Sequence, residues 1–173
     1  AYEIRRSLVG SEMCIRDRYK GPSDKEQMQG AIIVYSTALE YVENNGLGSI
    51  QIVSPISGAA FQAKVLGNGS ISAPQIDYGI VKASVLTGKG KISLTGKCRE
   101  AELSVTGAGQ IEADRLTARD VTCRIRGVGV IGCHATQKLT AKATGNGEVY
   151  YRGTPEIKKL SLGELSVRSL EGK

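Results

Sequence analysis

Gly-x-Gly recurs along most of the chain, and no other feature limits the fold as strongly. It stands at Gly46–Gly48, Gly67–Gly69, Gly88–Gly90, Gly107–Gly109, Gly127–Gly129 and Gly145–Gly147, at intervals of 21, 21, 19, 20 and 18 residues. A degenerate seventh copy, Ser161-Leu162-Gly163, is read 16 residues further on, with serine in place of the first glycine. Two residues after each second glycine comes a branched aliphatic: Ile50, Ile71, Ile92, Ile111, Ile131, Val149 and Leu165. The middle residue varies freely, from Leu47 and Asn68 to Lys89, Ala108, Val128 and Asn146, as expected of a position that points to solvent. A fixed period of about twenty residues is the signature of stacked repeats that share one core.

The flanks of each turn alternate with period two. Ile111 and Ala113, or Ile131 and Cys133, follow a turn; Leu103 and Val105, or Cys123 and Ile125, precede one; polar Ser104, Glu112 and Arg124 lie between. That period marks strands with one buried face. No segment shows a helical period over ten residues. Twenty residues at about 3.3 Å each close a perimeter of roughly 65 Å, which suits a three-faced coil. The chain therefore predicts an all-β, right-handed parallel β-helix of about six to seven coils. The handedness follows from the rule for parallel crossovers. An up-and-down sheet of hairpins is the alternative, but identical turns with identical following residues favour stacking in register.

Glycine reaches positive φ without steric cost and allows close backbone approach. The thirteen glycines Gly46, Gly48, Gly67, Gly69, Gly88, Gly90, Gly107, Gly109, Gly127, Gly129, Gly145, Gly147 and Gly163 are thus expected to be structural turns. The seven aliphatics are expected to form one inward ladder.

The stretch Ser7–Arg18, SLVGSEMCIRDR, resembles the translation of a sequencing-library adapter. On that reading residues 1–20 are foreign and should pack on nothing, 21–30 are a polar linker, and 31–171 form the β-helix domain without the N-terminal part of its natural extent. Removing residues 1–20 takes out five Lys/Arg and three Asp/Glu, so the formal charge falls from +6 to +4. An exposed strand edge at Ala31–Tyr35 is then expected.

The series TGKGKISL, TGAGQIEADRL and TGNGEVYYRGTP resembles the bacterial family called putative auto-transporter adhesin, head GIN domain. The segment Gly147–Pro155 is the most specific part, and the resemblance covers roughly Ala31–Leu170. It implies a pectin-lyase-like right-handed β-helix, an exported location in the cell envelope, periplasm or outer surface, and a role in adhesion. It carries no catalytic residues. The chain departs from the pattern at Arg126–Val130 and at Ser161.

The Gly-Lys pairs at 88–89, 90–91 and 96–97 lack the remaining P-loop residues and a following helix, so no cofactor-binding site is expected. Cys98, Cys123, Cys133 and His134 match no zinc spacing, and Cys133 and His134 face opposite sides of a strand; no metal site is expected. Cys123 and Cys133 fall on inward rows, where thiols act as small hydrophobes, with a bridge as the alternative. Asp77, Glu102, Glu112, Asp114 and Asp120 are scattered among repeats, although stacking could bring Glu112 or Asp114 near Lys91 and Lys97. His134 has no nucleophile partner, and no catalytic residue is assigned. Asn68-Gly69-Ser70 fits a glycosylation acceptor but lies in a turn the fold already explains.

A pI of about 9.2 suits anionic partners,. Lysines and arginines are nevertheless spread over all repeats and aromatic stacking platforms are absent, so nucleic acid is not expected. Arg124 and Arg126 form the best outward basic pair. No apolar run approaches the ~18 residues of a membrane helix. The functional expectation is a non-enzymatic envelope module that binds a glycan or protein at a surface. The alternatives are a self-assembling scaffold, which would be a homo-oligomer, and a carbohydrate-active β-helix enzyme.

Overall fold

The computed structural model describes residues 2–5 and 39–170. Among these every regular element is a strand: β1 (Tyr2–Arg5), β2 (Tyr41–Asn44), β3 (Ser49–Gln51), β4 (Ile56–Leu66), β5 (Ser70–Leu86), β6 (Lys91–Gly107), β7 (Gln110–Gly127), β8 (Val130–Gly145), β9 (Gly147–Arg152), β10 (Glu156–Leu162) and β11 (Leu165–Ser169). Every pairing from β2 onward is parallel, and neighbours are successive turns of one chain. The result is a β-solenoid of about six turns.

The long strands are not straight. In β7 the buried side chains are Ile111 and Ala113, then Leu116 and Ala118, then Val121, Cys123 and Ile125. Strict alternation would keep one parity, but the inward set changes parity twice, between 113 and 116 and between 118 and 121. Each change lets the chain bend while its next apolar residue still points inward. Three flat faces result. In β7 the first face spans 110–114, the second 115–119 and the third 120–127. The Gly-x-Gly turn is the corner that leads from the third face to the first face of the next coil.

Ile50 pairs with Ile71, then Ile92, Ile111, Ile131 and Val149 in unbroken register. Ile71 through Val149 are all at most 1 % exposed, and Ile50 is half-buried against the same core. At roughly 1.5–3 kcal/mol per buried side chain, this row is a main source of cohesion between coils. The seventh member is Val167, which pairs with Val149; Leu165 instead pairs with Gly147. The expected frame of the last turn is therefore two residues out. Ser161 and Leu162 continue the rows of Ala143 and Thr144, so Gly163 takes the place of the first glycine. It has φ +121, and an added Cβ would lie 2.5 Å from the Gly145 carbonyl oxygen.

Strand register also explains the uneven intervals. Val65, Val85, Val105, Ile125, Ala143 and Ser161 are partners in sequence, at spacings of 20, 20, 20, 18 and 18 residues. The turn at Gly88 carries one extra residue, Thr87, held at φ 68. A β-branched residue there costs about 1–2 kcal/mol, and the extra residue converts the even spacing into 21 and then 19.

At the start of the stack, Asn44 occupies the row of Val65 and is fully buried. Its Nδ2 donates to the carbonyls of Gly48 (2.8 Å) and Ser70 (2.9 Å), and its Oδ1 accepts from the Gly46 N–H (3.0 Å). A buried amide satisfied in this way locks the first turn. Tyr78 closes the same end: its hydroxyl donates to the Leu39 carbonyl at 2.6 Å and its ring stacks 5.3 Å from Phe61. Burial, with the charge of Glu40 second, raises the Tyr78 pKa.

The segment expected to pack on nothing does pair where it is described. Tyr2–Arg5 pair antiparallel with Tyr41–Asn44, because a strand edge satisfies its backbone groups with any extended segment within reach,. The adapter-like stretch, the linker and Ala31–Tyr35 lie outside the described residues.

Candidate functional site

The corners stack as backbone on backbone. Gly67, Gly88, Gly107, Gly127 and Gly145 all have positive φ. The second glycines answer a different need. A Cβ at Gly109 would lie 2.4 Å from Val85 Cγ1, and one at Gly129 2.6 Å from Val105 Cγ1. Each corner thus closes over an inward side chain of the coil below, which gives the turn glycines a packing role.

The groups considered for catalysis are brought into separate pairs. Glu112 sits 2.7 Å from Lys91 Nζ and accepts from Ser93 Oγ (3.0 Å) and Gln110 Nε2 (3.0 Å). These contacts, led by the Lys91 hydrogen bond, hold its carboxyl below the usual carboxylate range. Asp114 meets Arg152 at 3.5 Å and Asp77 meets Lys97 at 3.1 Å. Asp120 lies 3.6 Å from Arg119. His134 Nδ1 lies 3.4 Å from the Thr117 hydroxyl. Stacking therefore joins Glu112 to Lys91, as considered, whereas Asp114 and Lys97 find other partners. Among the described residues no three His, Cys, Asp or Glu side chains converge on a metal-sized space.

Cys123 and Cys133 are buried and free, five residues either side of Val128 across one corner. A thiol hydrogen bond between them, with burial, pushes the Cys123 pKa up. Burial pushes Cys98 to about 12.

The first and third faces differ in charge. Outward on the first face are Lys91, Arg152 and Arg168 against Glu112, Asp114 and Glu148. Outward on the third face are Lys64, Lys82, Arg124, Arg126, Lys138, Lys142 and Lys158 against Glu43, Glu100, Glu102, Asp120 and Glu156. Glu43 pairs with Lys64 at 3.1 Å, and Glu102 pairs with Lys82 at 3.6 Å and with Arg124. Among the described residues Arg126, Lys142 and Lys158 have no carboxylate partner. The period-two pattern marks Arg124 and Arg126 as an outward pair but does not join Lys142 and Lys158 to them. The repeat interval of 18 carries Arg124 to Lys142, a signal that becomes readable only once the register is known.

A shallow trough of about 580 Å³ runs along the start of this face, lined by Lys82, Glu102, Thr122, Arg124, Lys138 and Thr140 among others. Glu100 and Asp120 also line it, so both signs of charge meet there.

The family described as "Putative auto-transporter adhesin, head GIN domain" matches residues 3–155. Among solved structures the chain is similar to a putative adhesin from Bacteroides fragilis: 28 % identity, TM-score 0.71, over 76 % of this chain and 61 % of that one. It is also similar to a putative lipid binding protein from Parabacteroides distasonis (28 %, TM-score 0.68, 79 % and 63 %). A putative adhesin from Parabacteroides merdae gives 25 % identity and a TM-score of 0.62, over 79 % and 65 %. The chain thus spans under two thirds of the length of each. No functionally curated protein matches it.

Proposed function

Because the chain belongs to the family of putative auto-transporter adhesin head GIN domains, we propose that it is a non-enzymatic module of the cell envelope that presents a rigid β-solenoid for adhesion or surface binding. The observation that carries this reading is the regular outward lattice. Three flat faces display side chains in rows at the strand spacing of about 4.8 Å, and their polar groups are engaged in small local pairs and triplets between neighbouring coils. A lattice of that kind offers many repeated weak contacts to an extended surface, whereas a hydrolase needs an acid and a base converging on one bond. Names given to the structural neighbours, adhesin and lipid binding protein, support a surface role for this chain as well.

No helix among the described residues is long and apolar enough to cross a membrane. Envelope location is accordingly tested directly, by fractionating cells that express the tagged full-length protein. Beads coated with the purified chain are then scored for adherence to glycan- and protein-coated surfaces. Adherence above uncoated beads supports the reading. Release of new reducing ends from acidic polysaccharides would overturn it in favour of an enzyme.

A further inference from the structure

The last three strands of the third face form a lattice unlike the rest of the surface. Register places Thr122, Arg124 and Arg126 on β7 beside Thr140, Lys142 and Thr144 on β8, and these beside Lys158, Leu160 and Leu162 on β10. The alternate positions of β7 and β8, from Val121 to Ile125 and from Leu139 to Ala143, are buried, so all nine positions belong to the outward side. The nine contain four cations, three threonines, two leucines and no carboxylate; the nearest carboxylates on these strands, Asp120 and Glu156, flank Lys138 one row earlier. Among the described residues Glu102 of the adjoining strand neutralises Arg124, and the other three cations meet no carboxylate.

The two leucines are exposed, Leu160 at 46 % and Leu162 at 78 %. Val128, at the corner two residues beyond Arg126, is 67 % exposed. Aliphatic side chains standing in water beside unpaired cations are a costly arrangement for a free surface. They suit a layer that is anionic at its boundary and apolar beneath it. We propose that this corner of the third face docks on an anionic phospholipid bilayer, with Arg126, Lys142 and Lys158 on lipid phosphates and Leu160 and Leu162 dipping into the acyl boundary. The contact starts beyond the trough and the row of Asp120, Lys138 and Glu156, because Glu100, Glu102, Asp120 and Glu156 would oppose the lipid phosphates; Thr122, Arg124 and Thr140, which line the trough, form its border. The proposal goes beyond the module reading and does not depend on what the module adheres to. Docked in this way, the first face, with its balanced charges, would stay free for a second partner.

The test is flotation of the whole chain with vesicles of phosphatidylglycerol in phosphatidylcholine, against phosphatidylcholine alone, over a salt series. Each basic residue near an anionic surface is worth roughly fivefold in affinity. Arg126→Glu with Lys142→Glu should therefore weaken binding more than about tenfold. Leu160→Ser with Leu162→Ser should abolish the part of binding that survives high salt. Lys89→Glu, an exposed corner cation several coils away, should change little. All substituted side chains are exposed, and circular dichroism confirms the fold of each variant.

Several results overturn the proposal: no binding to phosphatidylglycerol, or binding that these variants leave intact. So does binding to dextran sulfate that falls with the charge reversals while vesicle binding ignores the leucines, since the patch is then a polyanion site. None of these results touches the adherence assay, so the two readings can fail separately.

Discussion

At Gly90, Gly109, Gly129 and Gly147 an added Cβ would approach Val65, Val85, Val105 and Ile125 to between 2.4 and 2.9 Å. At the last turn the same register position holds Leu165, which is 5 % exposed. The difference lies one coil below. Where the interior corners stand over valine or isoleucine, the corresponding residue under Leu165 is Ala143. Interior turns thus combine a bulky inward residue with glycine above it, and the last turn combines alanine with leucine. The corner needs one side chain's volume and is indifferent to which coil supplies it. This also accounts for a turn whose sequence looks degenerate while its backbone still follows the rows beneath.

The largest effect should separate the interior ladder from its end. Ile92→Asp places an unpaired charge where Ile92 is fully buried between Ile71 and Ile111. The expected cost is about 4 kcal/mol or more, enough to unfold the domain. Val167→Asp sits in the same row but half-buried on the last strand, where the carboxylate can turn to water, and should cost under about 2 kcal/mol,. Urea denaturation of both variants checks the contrast. Equal losses would show that the ladder does not weaken toward its end.

Next come the corners. Gly109→Val adds a branched side chain against Val85 and close to the Gly90 carbonyl oxygen (3.0 Å). Overpacking of this kind should cost about 1–3 kcal/mol, read as a lowered melting temperature. The reverse exchange tests the pairing at the last turn. Ala143→Val should cost a similar amount, because Leu165 already fills the space, and Leu165→Gly should recover most of it. A double-mutant cycle with a coupling near zero would show that the two positions do not share a volume.

These contrasts mark where the sequence was legible. Period two and the glycine corners were visible because each is imposed by the backbone and recurs in every coil. The row from Ile50 to Val149 could be read because its residues keep one spacing from the second glycine. The frame of the last turn could not, since Gly163 answers to a φ value and Leu165 to a vacancy left by Ala143, and neither requirement is local. The parity changes at the corners of β7 were hidden for the same reason: polar and apolar residues still mix, and only the stack decides which turn inward. Arg124 and Arg126 were visible as neighbours in the chain. Lys142 and Lys158 join them through register, which single-strand patterns do not contain. Tyr2–Arg5 show the converse, since an edge recruits a strand that composition alone would discard.

The smallest effect concerns charge. In the middle coils Glu112 is tied to Lys91 and Ser93, whereas among the described residues no ion pair joins β10 or β11. The Glu112 carboxyl is held below its ordinary value of 4.5, first by the Lys91 hydrogen bond and then, against a raising effect of burial, by Ser93 and by the charges of Lys91 and Arg115. A group whose folded pKa is depressed contributes stability that is full above its unfolded pKa and fades as pH falls through the folded value. Both side chains are over a third exposed, so water and salt screen the pair to the few tenths of a kcal/mol usual for such contacts,. Amide exchange in β6 and β7 should accordingly speed up slightly below pH 4.5, less so at high salt, and Glu112→Gln should remove that dependence,. Exchange in β10 and β11 should show no matching step. A step of equal size there would mean that the pH response belongs to the whole stack and not to this pair.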